Sequence, residues 1–106
     1  MRLLLDESVP VRLRRSLPSH SVKTVVEMGW GGVKNGALLA LAAKEFDAFL
    51  TVDKTLPYQQ NVANLLIAVI VLEAYSNELG ALLPLVHILE QILGSLQPGA
   101  FIRVGT

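Results

Sequence analysis

The sequence contains no cysteine, few charged residues and no long apolar segment. The absence of cysteine excludes disulfide bonds and thiolate metal sites. Charged residues make up 17% of the chain, against a usual share of about 25% in globular proteins. The formal net charge is zero, so no global field attracts nucleic acid, and any nucleic-acid site has to be a local basic patch.

The apolar runs are too short for a membrane protein. The longest run covers residues 65–72, far fewer than the ~20 residues that a membrane-spanning helix needs. The sequence opens in a predicted strand rather than in a basic segment followed by a signal-like apolar stretch. We therefore expect a cytoplasmic protein with no membrane partner.

The chain is short and apolar. Its 106 residues predict a single domain over residues 1–106, and its hydrophobic share of 52% predicts that some apolar surface serves an interface. Residues 77–96 carry more apolar side chains than one helix face can bury, which predicts a homo-oligomer. These side chains are Leu79, Leu82, Leu83, Leu85, Val86, Ile88, Leu89, Ile92, Leu93 and Leu96.

Short apolar runs alternate with helical patterns along the chain, which predicts an α/β fold with a mostly parallel sheet and right-handed crossovers. Strands are predicted over residues 2–5, 22–26, 48–52, 65–72 and 100–104. Helices are predicted over residues 8–17, 36–45 and 78–94. The last helix contains Pro84, which predicts a kink or two helices in series. Residues 57–64 are predicted to be irregular or a short helix.

Two of these apolar strands run directly into carboxylates. Asp6 and Glu7 follow the first strand, and Asp53 follows the third. Ligands of an open parallel sheet gather beyond the carboxyl ends of its strands, so the three acids converge if these strands are neighbours. Clustered carboxylates repel one another unless a cation or a proton lies between them.

Such a cluster suits magnesium or manganese, which prefer hard oxygen ligands. Two ions about 4 Å apart can activate a water molecule and stabilise the leaving oxygen in phosphodiester cleavage. A structural interpretation is also open, because Asp6 could cap the following helix and Asp53 could be an ordinary turn residue. Sequence alone does not show whether the two strands are adjacent.

Segments 3–10 and 50–56 carry a family resemblance. The first reads Leu-Leu-Leu-Asp-Glu-Ser-Val-Pro and the second Leu-Thr-Val-Asp-Lys-Thr-Leu. They resemble the Leu-Asp-Glu-Asn-Leu-Pro opening and the Thr-x-Asp-x-Asp-Phe segment of the small PIN-like protein family. The Gly-rich loop at 29–32 and the helix start at Ser76-Asn77 match as well. The resemblance covers nearly the whole chain.

This resemblance implies a three-layer α/β/α sandwich of the PIN-like type, with a parallel sheet ordered 3-2-1-4-5 and the first strand beside the Thr51–Asp53 strand. It implies kinship with divalent-metal-dependent ribonucleases, including toxins of toxin–antitoxin pairs. Asp6 and Asp53 would be metal carboxylates, and Glu7 the companion acid. The implied cofactor is Mg²⁺ or Mn²⁺, the substrate single-stranded RNA and the partner an antitoxin protein.

The chain departs from the family pattern at two acidic positions. Asn35 stands where the family commonly has an Asp at the start of the second helix, and Thr55 stands where it has a second acid after Asp53. Fewer charges bind a divalent ion more weakly. The alternative is therefore a weakly active or inactive PIN-like domain that acts by protein interaction or dimerisation. A third, weaker interpretation is a receiver-like or phosphatase-like domain.

A few further residues could border the site. Thr51 and Lys54 flank Asp53, and Lys54 could either assist a substrate phosphate or neutralise the acid. Arg12 and Arg15 share a helix face and could contact RNA phosphates, although such residues are more often simply solvated. Trp30 could stack on a base, but an interface or core position is the favoured interpretation.

Overall fold

The computed structural model describes residues 1–56 and 66–105. Within these ranges the chain forms one five-stranded parallel sheet flanked by helices, which confirms the predicted α/β class. The prediction for residues 57–64, and the first residue of the predicted fourth strand, lie outside the described residues.

All five strands are parallel and follow one another in the sheet as β2-β1-β3-β4-β5. Apart from small shifts at their ends, they agree with the predicted strands. Their bounds are β1 Arg2–Leu5, β2 Ser21–Thr24, β3 Ala48–Thr51, β4 Ala68–Glu73 and β5 Phe101–Gly105.

The helices are shorter than predicted. The segment predicted as a helix over 8–17 forms a 3₁₀ helix, Val11–Ser16. The helix begins later than predicted because residues 6–9 form a turn, in which Val9 N donates to Asp6 O. The region around Pro84 forms three pieces in series, as expected where proline removes a backbone donor. The helices are α1 Asn35–Ala42, α2 Leu79–Leu82 and α3 Val86–Leu93, with a 3₁₀ turn Leu83–Leu85 between the last two.

The implied strand order 3-2-1-4-5 is wrong for this chain, whereas the adjacency of the first and third strands is confirmed. β1 lies between β2 and β3, with Leu3 opposite Ala48 and Leu5 opposite Leu50. The Asp6 amide extends this pairing by donating to Leu50 O at 2.9 Å. The connection from β2 to β3 therefore crosses over β1, and β1 is a central strand.

The sheet separates two apolar clusters, which confirms the three-layer arrangement. Side chains of a strand alternate between faces, so Leu3 and Leu5 join one cluster while Leu4 joins the other. The first cluster packs against the 3₁₀ helix Val11–Ser16, α2 and α3, and the second packs against α1. Because both faces are covered, β1 reads as a continuous leucine run rather than an alternating one.

Two connections that run in the same direction along the sheet pass over opposite faces. α1 joins β2 to β3 across the second cluster, whereas α2 and α3 join β4 to β5 across the first. The two crossovers therefore have opposite hands. Since about 98% of such crossovers are right-handed, one of these is an exception, and the prediction of right-handed crossovers throughout is wrong.

The apolar region 77–96 is better buried than its composition predicts. Leu82, Leu85, Leu89 and Leu93 are buried, and Leu79, Val86, Ile92 and Leu96 pack at the margin of the first cluster. The break near Pro84 turns two successive helix faces toward the sheet. Only Leu83 and Ile88 of this set are exposed, at 43% and 41%, so the expected large apolar patch is reduced to these two side chains.

No helix within the two described ranges combines the length and the apolarity that crossing a bilayer requires.

The amino end of the sheet carries an ion pair that ties β1 to the turn before β3. The Arg2 amide donates to Asp47 Oδ2 at 2.8 Å, and the Arg2 guanidinium lies 3.5 Å from Oδ1. The backbone hydrogen bond is the larger cause that holds the pKa of Asp47 below its ordinary value of 3.8. A lowered pKa means that the folded state binds the proton less readily than the unfolded state.

We therefore expect Asp47→Asn to lower the free energy of unfolding at neutral pH, by less than about 1 kcal/mol because the carboxylate is partly exposed. This contribution is complete above the unfolded pKa and is lost as the pH falls through the lowered folded pKa. Urea unfolding of both proteins from pH 7 to pH 2.5 should show the difference closing below pH ~4. Glu45→Gln is the matched control, and an unchanging difference would contradict the assignment.

Candidate functional site

The carboxyl ends of β1 and β3 flank the topological switch point of the sheet, from which the following strands are placed on opposite sides. β2 lies to one side of β1, and β3, β4 and β5 follow on the other. In doubly wound sheets with this strand order, ligands bind in the crevice outside this switch point. The residues that follow β1 and β3 are Asp6 and Asp53 with their neighbours, so the acids singled out in the sequence lie where such a fold places its ligands.

Asp6 is half-buried and is held by two hydroxyl groups. Its Oδ2 accepts hydrogen bonds from Ser8 Oγ at 2.7 Å and from Thr51 Oγ1 at 2.8 Å. Thr51 is fully buried at the end of β3, so the carboxylate is oriented from inside the protein. Among the described residues no donor reaches Asp6 Oδ1, which leaves that oxygen for a ligand.

Thr51 also connects Asp6 to Asp53. Its hydroxyl oxygen accepts a hydrogen bond from the Asp53 amide at 3.0 Å while its hydrogen goes to Asp6. The same hydroxyl therefore fixes the first residue after β1 and the turn after β3. Thr51, predicted as a residue at the border of the site, is its central connection.

The Asp53 carboxylate is turned toward its own loop. Oδ1 accepts hydrogen bonds from the Thr55 amide at 2.9 Å and the Thr55 hydroxyl at 2.7 Å, and Leu56 N donates to Asp53 O at 3.3 Å. This is the local turn role that the structural interpretation predicts. No donor among the described residues reaches Oδ2. Asp53 thus follows the pattern of Asp6, in which one oxygen is anchored and the other is available.

Glu7 is exposed and faces the Gly-rich loop. Its Oε1 accepts a long hydrogen bond of 3.4 Å from the Gly32 amide, and Gly32 has a positive φ of 82°, which favours glycine. Asn35 opens α1 three residues later. No contact among the described residues joins Asn35 to Asp6 or Asp53, so its place at the border of the site stays a prediction.

The free oxygens of Asp6 and Asp53 are hard oxygen donors of the kind that magnesium and manganese prefer. No group of three or more His, Cys, Asp or Glu side chains suited to a metal occurs among residues 1–56 and 66–105. Magnesium commonly binds through one or two carboxylates plus waters and substrate phosphate. The free oxygens of Asp6 and Asp53 can supply those two, and Ser8 and Thr51 orient the first of them, as outer partners do for metal-binding carboxylates.

Basic residues near this edge differ in whether their side chains already bind other groups of the protein. The Arg14 guanidinium binds Glu27 at 2.8 Å and Val22 O at 3.1 Å, and it is the main cause that lowers the pKa of Glu27. Arg12 and Arg15 on the same 3₁₀ helix are exposed, which leaves their side chains accessible to phosphates. Lys54 is exposed beside Asp53, and no ion pair in the described part of the chain involves it.

Trp30 belongs to the core margin. It is half-buried against the second apolar cluster, and its ring meets Phe46 edge to face with centroids 6.1 Å apart. This confirms the core interpretation. A base-stacking role for Trp30 is not supported by this position.

A cleft of about 410 Å³ opens between the carboxyl ends of β1 and β2. Its lining combines apolar side chains with two carboxylates and the polar residue Thr24. The lining residues are Asp6, Glu7, Val9, Pro10, Val11, Thr24, Val25 and Val26.

Two residues of the site were not anticipated from the sequence. Ser8 stands where the family opening has Asn and donates to Asp6, and the Asp-x-Ser spacing is a recognisable signal for such a local bond. Asn77 Nδ2 donates to Ser8 O at 3.2 Å. That contact spans most of the chain, and nothing in the local sequence around Asn77 indicates it.

A scan against models of protein families matched none, and searches of curated proteins and of solved structures found no match. The PIN-like resemblance of segments 3–10 and 50–56 therefore stays a prediction. A function has to be argued from the fold and from the contacts at this edge of the sheet.

We expect Thr51→Val to destabilise the protein by about 1–3 kcal/mol, because it strands the buried Asp53 amide and removes one donor from Asp6. Thr51→Ser keeps the hydroxyl and loses only a methyl group, so it should cost about 1 kcal/mol. Denaturant unfolding of the three proteins measures both values. Thr51→Val being the more stable of the two variants would show that the hydroxyl does not connect β1 and β3.

Proposed function

We propose that the chain is a PIN-like, divalent-metal-dependent ribonuclease that cleaves single-stranded RNA, in the manner of a cytoplasmic toxin held by an antitoxin protein. The observation that carries the proposal is the pair of half-anchored carboxylates at the switch point of the sheet. Asp6 and Asp53 each spend one oxygen on hydrogen bonds within the protein and present the other. The segments that contain them also carry the family resemblance.

Asp6 and Asp53 would hold the metal ion. When bound, a magnesium or manganese ion supplies charge to stabilise a phosphodiester in its transition state and lowers the pKa of a water molecule. Thr51 and Ser8 keep the Asp6 carboxylate oriented, since both donate to its Oδ2. Because Thr51 is buried, this orientation is in place before any ligand arrives.

Glu7 and Lys54 have roles of their own in this proposal. Glu7 is exposed next to Asp6 and would accept a proton from the attacking water as a general base. Lys54 is exposed next to Asp53 and would bind a non-bridging phosphate oxygen. Asn35 and Thr55 add no charge, so the metal is held by fewer carboxylates and the activity is expected to be slow.

We expect slow cleavage of single-stranded RNA with Mg²⁺ or Mn²⁺, and loss of cleavage in Asp6→Asn and Asp53→Asn. Each variant removes a ligand charge with little change in volume. The same variants should weaken Mn²⁺ binding in calorimetric titrations, which measure the metal site without reference to activity. Lys44→Gln, on an exposed side chain at the end of α1, is the control for a charge change away from the site.

Cleavage that persists equally in EDTA, or in both carboxylate variants, would come from a contaminating nuclease and would contradict the proposal. Mn²⁺ binding that both variants leave unchanged would remove Asp6 and Asp53 from the metal site.

The strand order gives some weight to a receiver-like interpretation. The order β2-β1-β3-β4-β5 is that of flavodoxin-like folds, which include response-regulator receivers. That interpretation needs a lysine at the end of the last strand, near the acceptor aspartate. β5 is Phe-Ile-Arg-Val-Gly and carries no lysine, and the hand of one crossover departs from that fold. We therefore favour the ribonuclease.

The second candidate is a PIN-like domain with little or no catalysis that acts through protein contacts. It is favoured by the small number of carboxylates at the site and by Leu83 and Ile88, which are apolar, exposed and five residues apart in the sequence. The zero net charge of the chain offers no repulsion between copies. The partner proposed for this surface is a second copy of the chain.

If so, light scattering at micromolar concentration should give twice the mass of 11.5 kDa, and the double variant Leu83→Arg with Ile88→Arg should give the monomer mass. Leu66→Arg, at another exposed leucine, should leave the dimer intact. A wild-type protein of monomer mass would remove the homodimer from consideration.

A further inference from the structure

Tyr75 is the most exposed large apolar side chain in the described part of the protein. Its relative exposure is 88%. It follows the end of β4 by two residues, so it lies at the same edge of the sheet as Asp6 and Asp53. An isolated exposed aromatic side chain is ordinary on a protein surface. Tyr75 is a candidate ligand contact because it lies beside a candidate phosphodiester site.

The loop that carries Tyr75 is held on both sides. Ala74 packs at the margin of the first apolar cluster. Asn77 Nδ2 donates to Ser8 O at 3.2 Å, and the Glu78 amide donates to Ser76 Oγ at 3.2 Å. Ser8 in turn binds Asp6. The backbone is therefore fixed relative to the site while the ring faces solvent, which reduces the ordering cost of placing a ligand on it.

The cleft between β1 and β2 lies on the other side of Asp6. Pro10, Val11 and Val26 give it accessible apolar surface, and Glu7 and Thr24 place polar groups beside them. Neighbouring strands are about 4.8 Å apart, so the ends of β2 and β4 are separated by about 14 Å. The cleft, the two carboxylates and Tyr75 thus follow one another in a row across the edge of the sheet.

We propose that this row binds single-stranded RNA, with one unpaired base in the cleft, another stacked on Tyr75 and the connecting phosphates beside Asp6 and Asp53. The inference rests on the proposed function, because it takes RNA as the substrate. Unpaired bases stack on aromatic rings in most single-strand recognition. Carboxylates such as Glu7 accept hydrogen bonds from exocyclic base amines, whereas phosphates are repelled from the cleft and directed toward the metal.

Because cleavage is expected to be slow, fluorescence anisotropy of a labelled ten-nucleotide RNA can be read in Mg²⁺ before the RNA is cut, and it tests the row directly. Tyr75→Ala should weaken binding about tenfold, within the range measured for loss of one stacking contact, and Tyr75→Phe should keep wild-type affinity. Val26→Gln, which puts a longer uncharged side chain at the cleft, should weaken binding as well. Leu66→Ala, an exposed leucine just before the start of β4, should change nothing.

Abasic substitutions along the RNA locate the two bases. Two positions should matter for the wild-type protein, and one of them should cease to matter in Tyr75→Ala. Equal affinity of Tyr75→Ala and wild type overturns the inference, as does an abasic profile that Tyr75→Ala leaves unchanged. If Tyr75→Ala changes the mass in light scattering and leaves RNA affinity unchanged, Tyr75 belongs to a protein interface and the inference is equally overturned.

Failure of this inference and failure of the proposed function give different results. RNA binding that depends on Tyr75, without any Mn²⁺-dependent cleavage, keeps the binding row and rejects the ribonuclease. Cleavage that depends on Asp6, with RNA affinity and KM unaffected by Tyr75→Ala, keeps the ribonuclease and rejects the row.

Discussion

The Thr51 hydroxyl lies inside the protein where β1 and β3 end, and it holds together the two loops that leave those strands. It donates to Asp6 and accepts from Asp53, so neither loop can move without breaking a hydrogen bond to the fully buried Thr51 side chain. Such buried contacts are costly to leave unmade. The orientation of the Asp6 carboxylate, to which Ser8 also donates, and the path of the turn at Asp53 both depend on this connection.

Much of the fold follows from short-range patterns. The leucine run of β1 and the β-branched run of β4 predict strands covered on both faces, and both are buried throughout, apart from their terminal residues. Pro84 marks the break in the helical region. The order of the strands does not follow from such short-range patterns, because it depends on pairing between strands that are far apart in the sequence. Nothing within β1 or β3 specifies that they meet.

The site, like the fold, combines residues that local sequence predicts with contacts that depend on long-range packing. Asp6 and Asp53 were recognisable because each follows an apolar strand, and adjacency then brings them together. The role of Thr51 was harder to predict, since threonine is common in strands for its shape alone. The contact of Asn77 with Ser8 depends on the face over which the β4–β5 crossover passes. That crossover places α2 on the same face as the 3₁₀ helix Val11–Ser16, and so carries the loop after β4 toward the end of β1.

The central position of β1 has a consequence for the newly made chain. β1 is synthesised before both strands that it pairs with, and all three of its leucines are buried in the finished protein. It can pair with β2 within 24 residues, but its other edge waits for β3, which ends at Thr51. Until then an apolar strand with an open edge is exposed, which is the condition under which chains aggregate. Translation speed and chaperone access between the synthesis of β1 and that of β3 should therefore affect the yield of folded protein more than changes near β5.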